Sequence, residues 1–271
     1  MAGLLTSTTP LITSSSRWVS GVLMGSIDVN PRSRTSDAHL PWDPAGDYGG
    51  ICATHVFQDI PRRQNAPTVF VHGNSADARI WLPMMESFLD RGDTGEDLWA
   101  ITFRRPSPSH DDMAAQLDSF VRRVREYTGY DAVNVVSHSL GVTGVRYWLH
   151  HYGRHDWVDT FVGLAGANHG SSRCKHLAWN QLTVGPARTT WFLNPEHLDD
   201  PDHPLARLNR DETPGDVDYY TLRATEDRFF RENPESPKLQ GAHNAALETE
   251  HERLVRTEET FDRVYGWVRG A

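Results

Sequence analysis

Lysine, cysteine and long apolar runs are scarce in this chain of 271 residues. Of its 27 lysine and arginine side chains only Lys175 and Lys238 are lysines, which we attribute to coding bias rather than to function. The two cysteines, Cys52 and Cys174, cannot build a disulfide framework, so they form either one bridge or two free thiols. No segment approaches the roughly 18 apolar residues of a membrane-spanning helix. The net charge of -9, without any lysine- or arginine-rich run, argues against a nucleic-acid-binding protein.

The amino-terminal 45 residues are rich in Ser, Thr, Pro and Asp, and we expect them to form an extended arm. Residues 46–271 then form a single domain, which is long enough to bury a substantial core. Residues 1–16 lack the positive start of a signal peptide, and residues 18–24 are only a short apolar run. No convincing secretory signal is therefore present in the sequence.

Strand-like and helix-like segments alternate along the rest of the chain. Strands are predicted at 52–58, 68–71, 98–103, 133–136, 157–165, 217–224 and 239–247. Helices are predicted from apolar spacing at 79–91, 113–128, 142–152 and 257–269. Between residues 171 and 216 no regular pattern is sustained, and we predict a lid-like insertion over 174–214. The alternation predicts an α/β fold with a mostly parallel, doubly wound sheet.

The segment 133–141 (VNVVSHSLG) places a serine between a valine-rich strand and a helix. A buried strand that turns sharply into a helix, with serine at the tip, is the nucleophile elbow of α/β-hydrolases. Strand and helix pass so closely there that the positions two before and two after the tip must be small. Those positions are Ser137 and Gly141, which makes Ser139 the candidate nucleophile.

A serine hydroxyl needs an imidazole base and a carboxylate that orients the base. In this fold the acid and then the histidine follow the serine along the chain. Glu226 and Asp227 follow the predicted strand 217–224, and Asp227 is favoured because Asp is the commoner acid and leaves one more turn residue. Of the two later histidines, His243 falls inside a predicted strand, whereas His251 lies in a loop before the last helix. We therefore favour His251.

The negative oxygen of an acyl-transfer transition state needs two backbone N–H groups aimed at it. One should be the amide of Leu140, directly after the serine. The other should come from the loop after strand 68–71, where Asn74 offers either its backbone amide or its side chain.

Several blocks in the same order resemble the class 2 bacterial lipases and are similar to a branch of extracellular polyhydroxyalkanoate depolymerases. The blocks are residues 70–74 (FVHGN), 136–141 (VSHSLG), 164–170 (LAGANHG) and 208–215 (LNRDETPG). The resemblance covers about residues 50–269. It implies Ser139 as nucleophile, Asp227 as acid, His251 as base, and Asn74 and Leu140 at the oxyanion hole. Ser137, where Gly or Ala is usual, and Val142, where Gly is frequent, depart from the pattern.

The fold and motifs predict a serine carboxylic ester hydrolase that works without a cofactor, on acyl-rich or water-insoluble esters. A polyester depolymerase and a hydrolase-fold binding protein are the alternatives, and Ser139 excludes a dehalogenase, which needs a carboxylate nucleophile. We expect Trp179, Trp191 and Phe192 to contact the substrate, because apolar residues of a loop at the carboxyl ends of the strands would otherwise be exposed. We also expect a monomer, and the resemblance implies an extracellular protein.

The acidic and histidine-rich loop at residues 197–203 has residue types that bind metals. Such loops are usually only solvated, and we therefore predict no metal site.

Overall fold

A computed structural model describes residues 39–57, 64–175 and 186–270. Most of the predicted arm, residues 1–38, and Trp179 lie outside these ranges. The described end of the arm packs on the domain: Leu40 is buried, and the indole of Trp42 stacks on that of Trp99 with ring centroids 5.3 Å apart. Within the described ranges, no helix combines the length and hydrophobicity needed to cross a membrane.

One sheet organises the described part of the chain. Its strands are β1 (Tyr48–Cys52), β2 (Thr68–Val71), β3 (Leu98–Phe103), β4 (Val133–His138), β5 (Val158–Leu164), β6 (Asp218–Ala224) and β7 (His243–Leu247). They lie in the order β1-β3-β2-β4-β5-β6-β7, and β1 runs antiparallel while the others pair in parallel. The mostly parallel sheet predicted from the sequence is confirmed.

Helices connect the strands and cover the sheet. They are α1 (Ala53–Phe57), α2 (Leu82–Asp90), α3 (His110–Thr128), α4 (Leu140–Tyr152), α5 (Pro186–Phe192), α6 (Pro204–Leu208) and α7 (Glu258–Arg269). Local signals set their ends. The α3 helix begins with a capping box between Ser109 and Asp112, and Gly129 ends it in the left-handed conformation.

The first strand was predicted at the wrong place. Residues 48–52 form β1, and α1 replaces most of the strand expected at 52–58. Two consecutive glycines conceal the strand signal of β1, since glycine has low strand propensity. Gly50 is needed there because a Cβ at this position would come within 2.6 Å of the Ala100 carbonyl oxygen on β3.

The region between residues 171 and 216 is more regular than its sequence pattern indicates. It contains α5, α6 and single 3-10 turns at Ser172–Cys174 and Pro195–His197. Each piece is shorter than the window of about 11 residues over which helical periodicity can be recognised. Phe192 and Leu193 are buried, so the described part of this region that carries them packs into the domain.

The two cysteines are free thiols, which decides between the two alternatives left by the sequence. Cys52 is buried in β1, where its thiol donates to the carbonyl oxygen of Gly95 at 3.5 Å. Burial raises the pKa of Cys52 to about 12, so its thiol stays protonated and unreactive at neutral pH.

Candidate active site

Ser139 lies at the tip of a strained turn between β4 and α4. Its φ of 57° and ψ of −124° lie outside the conformations that non-glycine residues normally adopt. The turn is held by the Ser139 amide, which donates to the carbonyl oxygen of Leu164 on β5 at 2.9 Å. Because α4 begins at Leu140, the positive end of the helix faces the serine.

Two glycines allow the strand-to-helix turn to pack against the end of β2. A Cβ on Gly73 would come within 2.8 Å of the Ser139 Cβ, and one on Gly141 within 2.6 Å of the His72 carbonyl oxygen. The small residue that the sequence predicts at position 141 is therefore required by backbone packing.

The two departures from the lipase pattern are both accommodated. Ser137 is fully buried, and its hydroxyl donates to the carbonyl oxygen of Val162 at 3.3 Å. Val142 fits because its neighbours lack side chains: a Cβ on Gly166 would come within 2.4 Å of the Val142 Cγ1, and one on Gly163 within 3.0 Å. The valine thus fills space that two glycines leave open.

Ser139, His251 and Asp227 form one chain of hydrogen bonds. His251 Nε2 lies 2.9 Å from Ser139 Oγ, and His251 Nδ1 lies 2.6 Å from Asp227 Oδ2. Both His251 and Asp227 are 5% exposed. The second carboxylate oxygen, Asp227 Oδ1, accepts from the Phe229 amide at 2.8 Å, which fixes the carboxylate plane. An imidazole in this position can accept the serine proton while the carboxylate stabilises the imidazolium that results.

Glu226 and His243, the alternative acid and base considered from the sequence, lie outside this chain of hydrogen bonds. Glu226 is exposed. His243 is exposed at the first residue of β7, where its ring stacks on Tyr220 with centroids 5.1 Å apart. Neither side chain is therefore placed to act on Ser139.

Backbone hydrogen bonds join the loop that carries Asp227 to the loop that carries His251. The Thr225 amide donates to the Leu247 carbonyl oxygen at 2.9 Å, and the Glu226 amide to that of Thr249 at 3.1 Å. These bonds continue the β6–β7 pairing, so the two loops leave the same sheet edge in a fixed relation.

Two buried histidines at this site have no counterpart among the sequence predictions. His138 Nε2 donates to the backbone carbonyl oxygen of His251 at 3.1 Å, and burial lowers the pKa of His138 to about 3, which keeps it neutral. His72 Nε2 accepts from the Phe103 amide at 3.1 Å, so Nδ1 carries the proton and donates to the Gly73 carbonyl oxygen at 2.7 Å. The sequence did contain a signal for them, because each histidine lies just after a predicted strand and within two residues of a predicted site residue.

The predicted oxyanion-hole residues face the same pocket as Ser139. The Leu140 amide is the first of α4 and therefore has no acceptor within the helix. The Asn74 side chain is held by its neighbours: its oxygen accepts from Ser107 Oγ at 2.6 Å, and its amide group donates to Ser75 Oγ at 3.3 Å. Ser75, with a φ of 59°, turns the loop sharply after Asn74.

The pocket beside Ser139 has a volume of about 330 Å³ and a largely apolar wall. Leu140, Ala167, Leu193, Phe229 and Phe230 contribute apolar side chains to it. Leu193 belongs to the region that was expected to cover the site, and Thr189 and Thr190 of α5 line the pocket next to it.

Trp191 and Phe192, which were expected to contact the substrate, do not line this pocket. Phe192 is buried with its ring stacked on His110 at 3.4 Å, and the Trp191 ring packs on His203 at 4.5 Å. The cause is helical geometry, since successive side chains point about 100° apart. The pocket face of α5 carries Thr189 and Thr190, and the following Leu193 lies on the same side, so 191 and 192 point away from the cavity.

The loop at residues 197–203 packs against the same helix. His203 is 2% exposed, and burial together with nearby His197 lowers its pKa. Across residues 39–57, 64–175 and 186–270, no group of three or more His, Cys, Asp or Glu side chains is arranged to hold a metal ion.

Comparison with known proteins agrees with this fold. Residues 65–189 match the family model of class 2 lipases. The structure is similar to the Bacillus licheniformis lipase BlEst2 in its mature form, with a TM-score of 0.55 and 20% identity over 76% of this chain and 92% of that chain. It is also similar to the propeptide form of BlEst2, with a TM-score of 0.59 and 19% identity over 77% of this chain and 52% of that one.

A third similar structure is phospholipase PlaB from Legionella pneumophila, with a TM-score of 0.57 and 17% identity over 76% of this chain and 60% of that chain. The chain therefore spans about half the length of the BlEst2 propeptide form and 60% of PlaB. At these identities the structural likeness shows the fold alone, and the match to the class 2 lipases covers fewer than half of the chain's residues. Over residues 65–189 the chain therefore resembles the class 2 lipases, and it shares the fold of the lipase BlEst2 and of phospholipase PlaB.

Proposed function

We propose that this chain is a carboxylic ester hydrolase in which Ser139 is the nucleophile, His251 is the general base and acid, and Asp227 orients His251. The Ser139 oxygen bonds to the ester carbonyl carbon while its proton passes to His251 Nε2. The bond from that carbon to the alcohol oxygen then breaks, and the proton passes from His251 to the departing alcohol. Water attacks the acyl-enzyme in the same way, giving its proton to His251, and the free acid leaves as Ser139 regains a proton.

The Leu140 amide and the Asn74 loop stabilise the negative oxygen in both steps. Support for Leu140 comes from its place at the positive end of α4, and support for Asn74 comes from the loop that Ser107 and His72 hold beside Ser139. Donors held rigidly in this way need no reorganisation when the charge develops.

The proposed substrates are carboxylic esters whose acyl chain is short enough to enter the pocket beside Ser139. The pocket, at about 330 Å³, lies near the lower end of the range for small-molecule sites. Its apolar residues favour an alkyl group over a polar one. A series of p-nitrophenyl esters of increasing chain length should therefore give its highest kcat/KM at a short or medium chain. A maximum at the longest acyl chains would contradict this size limit and favour the acyl-rich substrates expected from the sequence.

The hydrogen-bond chain from Ser139 to Asp227 is the observation that carries the proposal, and labelling of the serine tests it. An alkyl phosphonate ester should modify Ser139 stoichiometrically, as identified by mass spectrometry of peptides. Ser139→Ala should block labelling and lower kcat by about 10⁴–10⁶, because triad members act as a unit. His243→Ala is the matched control and should keep wild-type turnover. A Ser139→Ala protein that folds normally and retains a tenth of wild-type kcat would refute the assignment. A wild-type protein that neither hydrolyses the ester nor reacts with the phosphonate would favour a hydrolase-fold binding protein instead.

A further inference from the structure

One permanently charged side chain lines the pocket beside Ser139. Arg173 belongs to the 3-10 turn Ser172–Cys174, and no Asp or Glu contributes to the part of the pocket wall that the structure describes. Two hydrogen bonds hold Ser171, the residue before this turn. Its amide donates to the Leu193 carbonyl oxygen at 2.9 Å, and its Oγ donates to the Phe229 carbonyl oxygen at 2.8 Å. Arg173 therefore starts from a fixed backbone.

The guanidinium of Arg173 rests on an aromatic ring of the pocket. Its Cζ atom lies 4.8 Å from the centroid of the Phe229 ring, and the Phe229 and His251 rings are themselves 4.5 Å apart. A guanidinium stacked on an aromatic face keeps its N–H donors free at its edge. The positive charge thus lies one ring away from the proposed base.

Arg173 differs from the neighbouring cations in its lack of an acidic partner. Lys175 pairs with Glu232 at 3.9 Å, and Arg228, on the same Phe229 ring, pairs with Glu252. Among residues 39–57, 64–175 and 186–270, Arg173 makes no ion pair. The protein as a whole carries a net charge of -9, so an unpaired cation in the pocket is not a consequence of overall basicity.

We propose that Arg173 binds a negatively charged group of the substrate, so that the enzyme prefers esters with a carboxylate a few bonds from the scissile carbonyl. This inference rests on the proposed esterase function. The guanidinium offers two parallel N–H groups that match a carboxylate, whereas it offers nothing to a neutral alkyl ester. Because Arg173 is exposed, the preference should be modest, up to about fivefold in kcat/KM, as for exposed ion pairs.

Two pairs of esters of nearly equal size test the proposal at neutral pH. Monoethyl succinate against ethyl pentanoate places the charge in the acyl part, and acetoxyacetate against propyl acetate places it in the alcohol part. The measured quantity is the ratio of kcat/KM between the charged and neutral member of each pair. Arg173→Gln should lower this ratio by about threefold to fivefold in at least one pair, through a higher KM for the charged ester. Arg173→Lys should keep part of the preference.

Controls separate this inference from a general charge effect and from the proposed function. Lys175→Gln removes the same charge two residues away, outside the pocket lining, and should leave both ratios unchanged. Raising NaCl to 1 M should weaken the wild-type preference, since the screening length falls to about 3 Å. Turnover of the neutral esters by the wild type, with both ratios unchanged in Arg173→Gln, would overturn the role of Arg173 alone. No turnover of any of the four esters would overturn the proposed esterase function, and this inference with it.

Discussion

Replacement of Asp227 by asparagine tests how the buried carboxylate controls His251. In the native site one carboxylate oxygen accepts from His251 Nδ1 at 2.6 Å and the other accepts from the Phe229 amide at 2.8 Å. An asparagine has only one oxygen. If that oxygen keeps the Phe229 amide satisfied, the side-chain NH2 faces Nδ1, and His251 must carry its proton on Nε2. The imidazole then points an N–H group at Ser139 and cannot accept its proton.

The expected loss follows from two contributions. Rotating the amide so that its oxygen meets His251 leaves the Phe229 N–H without its acceptor, which costs about 1–3 kcal/mol for a buried group. Loss of the negative charge beside the imidazolium removes about 4 kcal/mol, the Coulomb energy at 4 Å with an effective dielectric constant of 20. The sum of about 5–7 kcal/mol corresponds to a fall in kcat of about 10⁴–10⁵.

The assay is steady-state hydrolysis of a soluble p-nitrophenyl ester, with thermal unfolding measured in parallel. Asp227→Asn should lower kcat with little change in KM, because the ground state of the bound ester does not contact the carboxylate. The matched control is Glu226→Gln, which changes the exposed carboxylate next in the chain and should leave kcat unaltered. A folded Asp227→Asn protein with kcat within tenfold of the wild type would refute this account of the site.

Two further predictions concern stability. Gly166→Ala should destabilise the fold by about 1–3 kcal/mol, because its Cβ would overlap the Val142 side chain. In a Val142→Ala background the same change should cost much less, and additive losses of stability in urea unfolding would contradict this packing. Burial lowers the pKa of His110 to about 3, so the unfolded chain binds a proton that the folded state excludes between pH 6.5 and 3. The free energy of unfolding should therefore fall with decreasing pH through this window, by about 1 kcal/mol per pH unit for this residue. If a His110→Phe variant shows the same pH dependence of unfolding as the wild type, His110 contributes nothing to it.

The sequence by itself determined the turn at Ser139 and the residues expected to act with it. A valine-rich strand, a serine and small residues on either side dictate a sharp strand-to-helix turn, because all the constraints act between residues close in the chain. Chain order then limited the acid to Glu226 or Asp227 and the base to His243 or His251. The structure brings Ser139, Asp227 and His251 into one hydrogen-bonded chain, while their catalytic roles remain a prediction.

Tertiary structure alone decided what surrounds that chain of hydrogen bonds. The pocket wall combines α5, the 3-10 turn at Ser172–Cys174 and the loop at Phe229, which are far apart in sequence. Hydrophobicity led us to expect Trp191 and Phe192 there, but an apolar side chain can reduce its exposure equally well in the core or in a cavity. Which of the two it does depends on the rotation of a helix only seven residues long, and the contacts of Phe192 with His110 on α3 and Tyr147 on α4 set that rotation. Likewise, the contact of His138 with the His251 carbonyl joins residues 113 positions apart, a distance over which no local pattern in the sequence carries information.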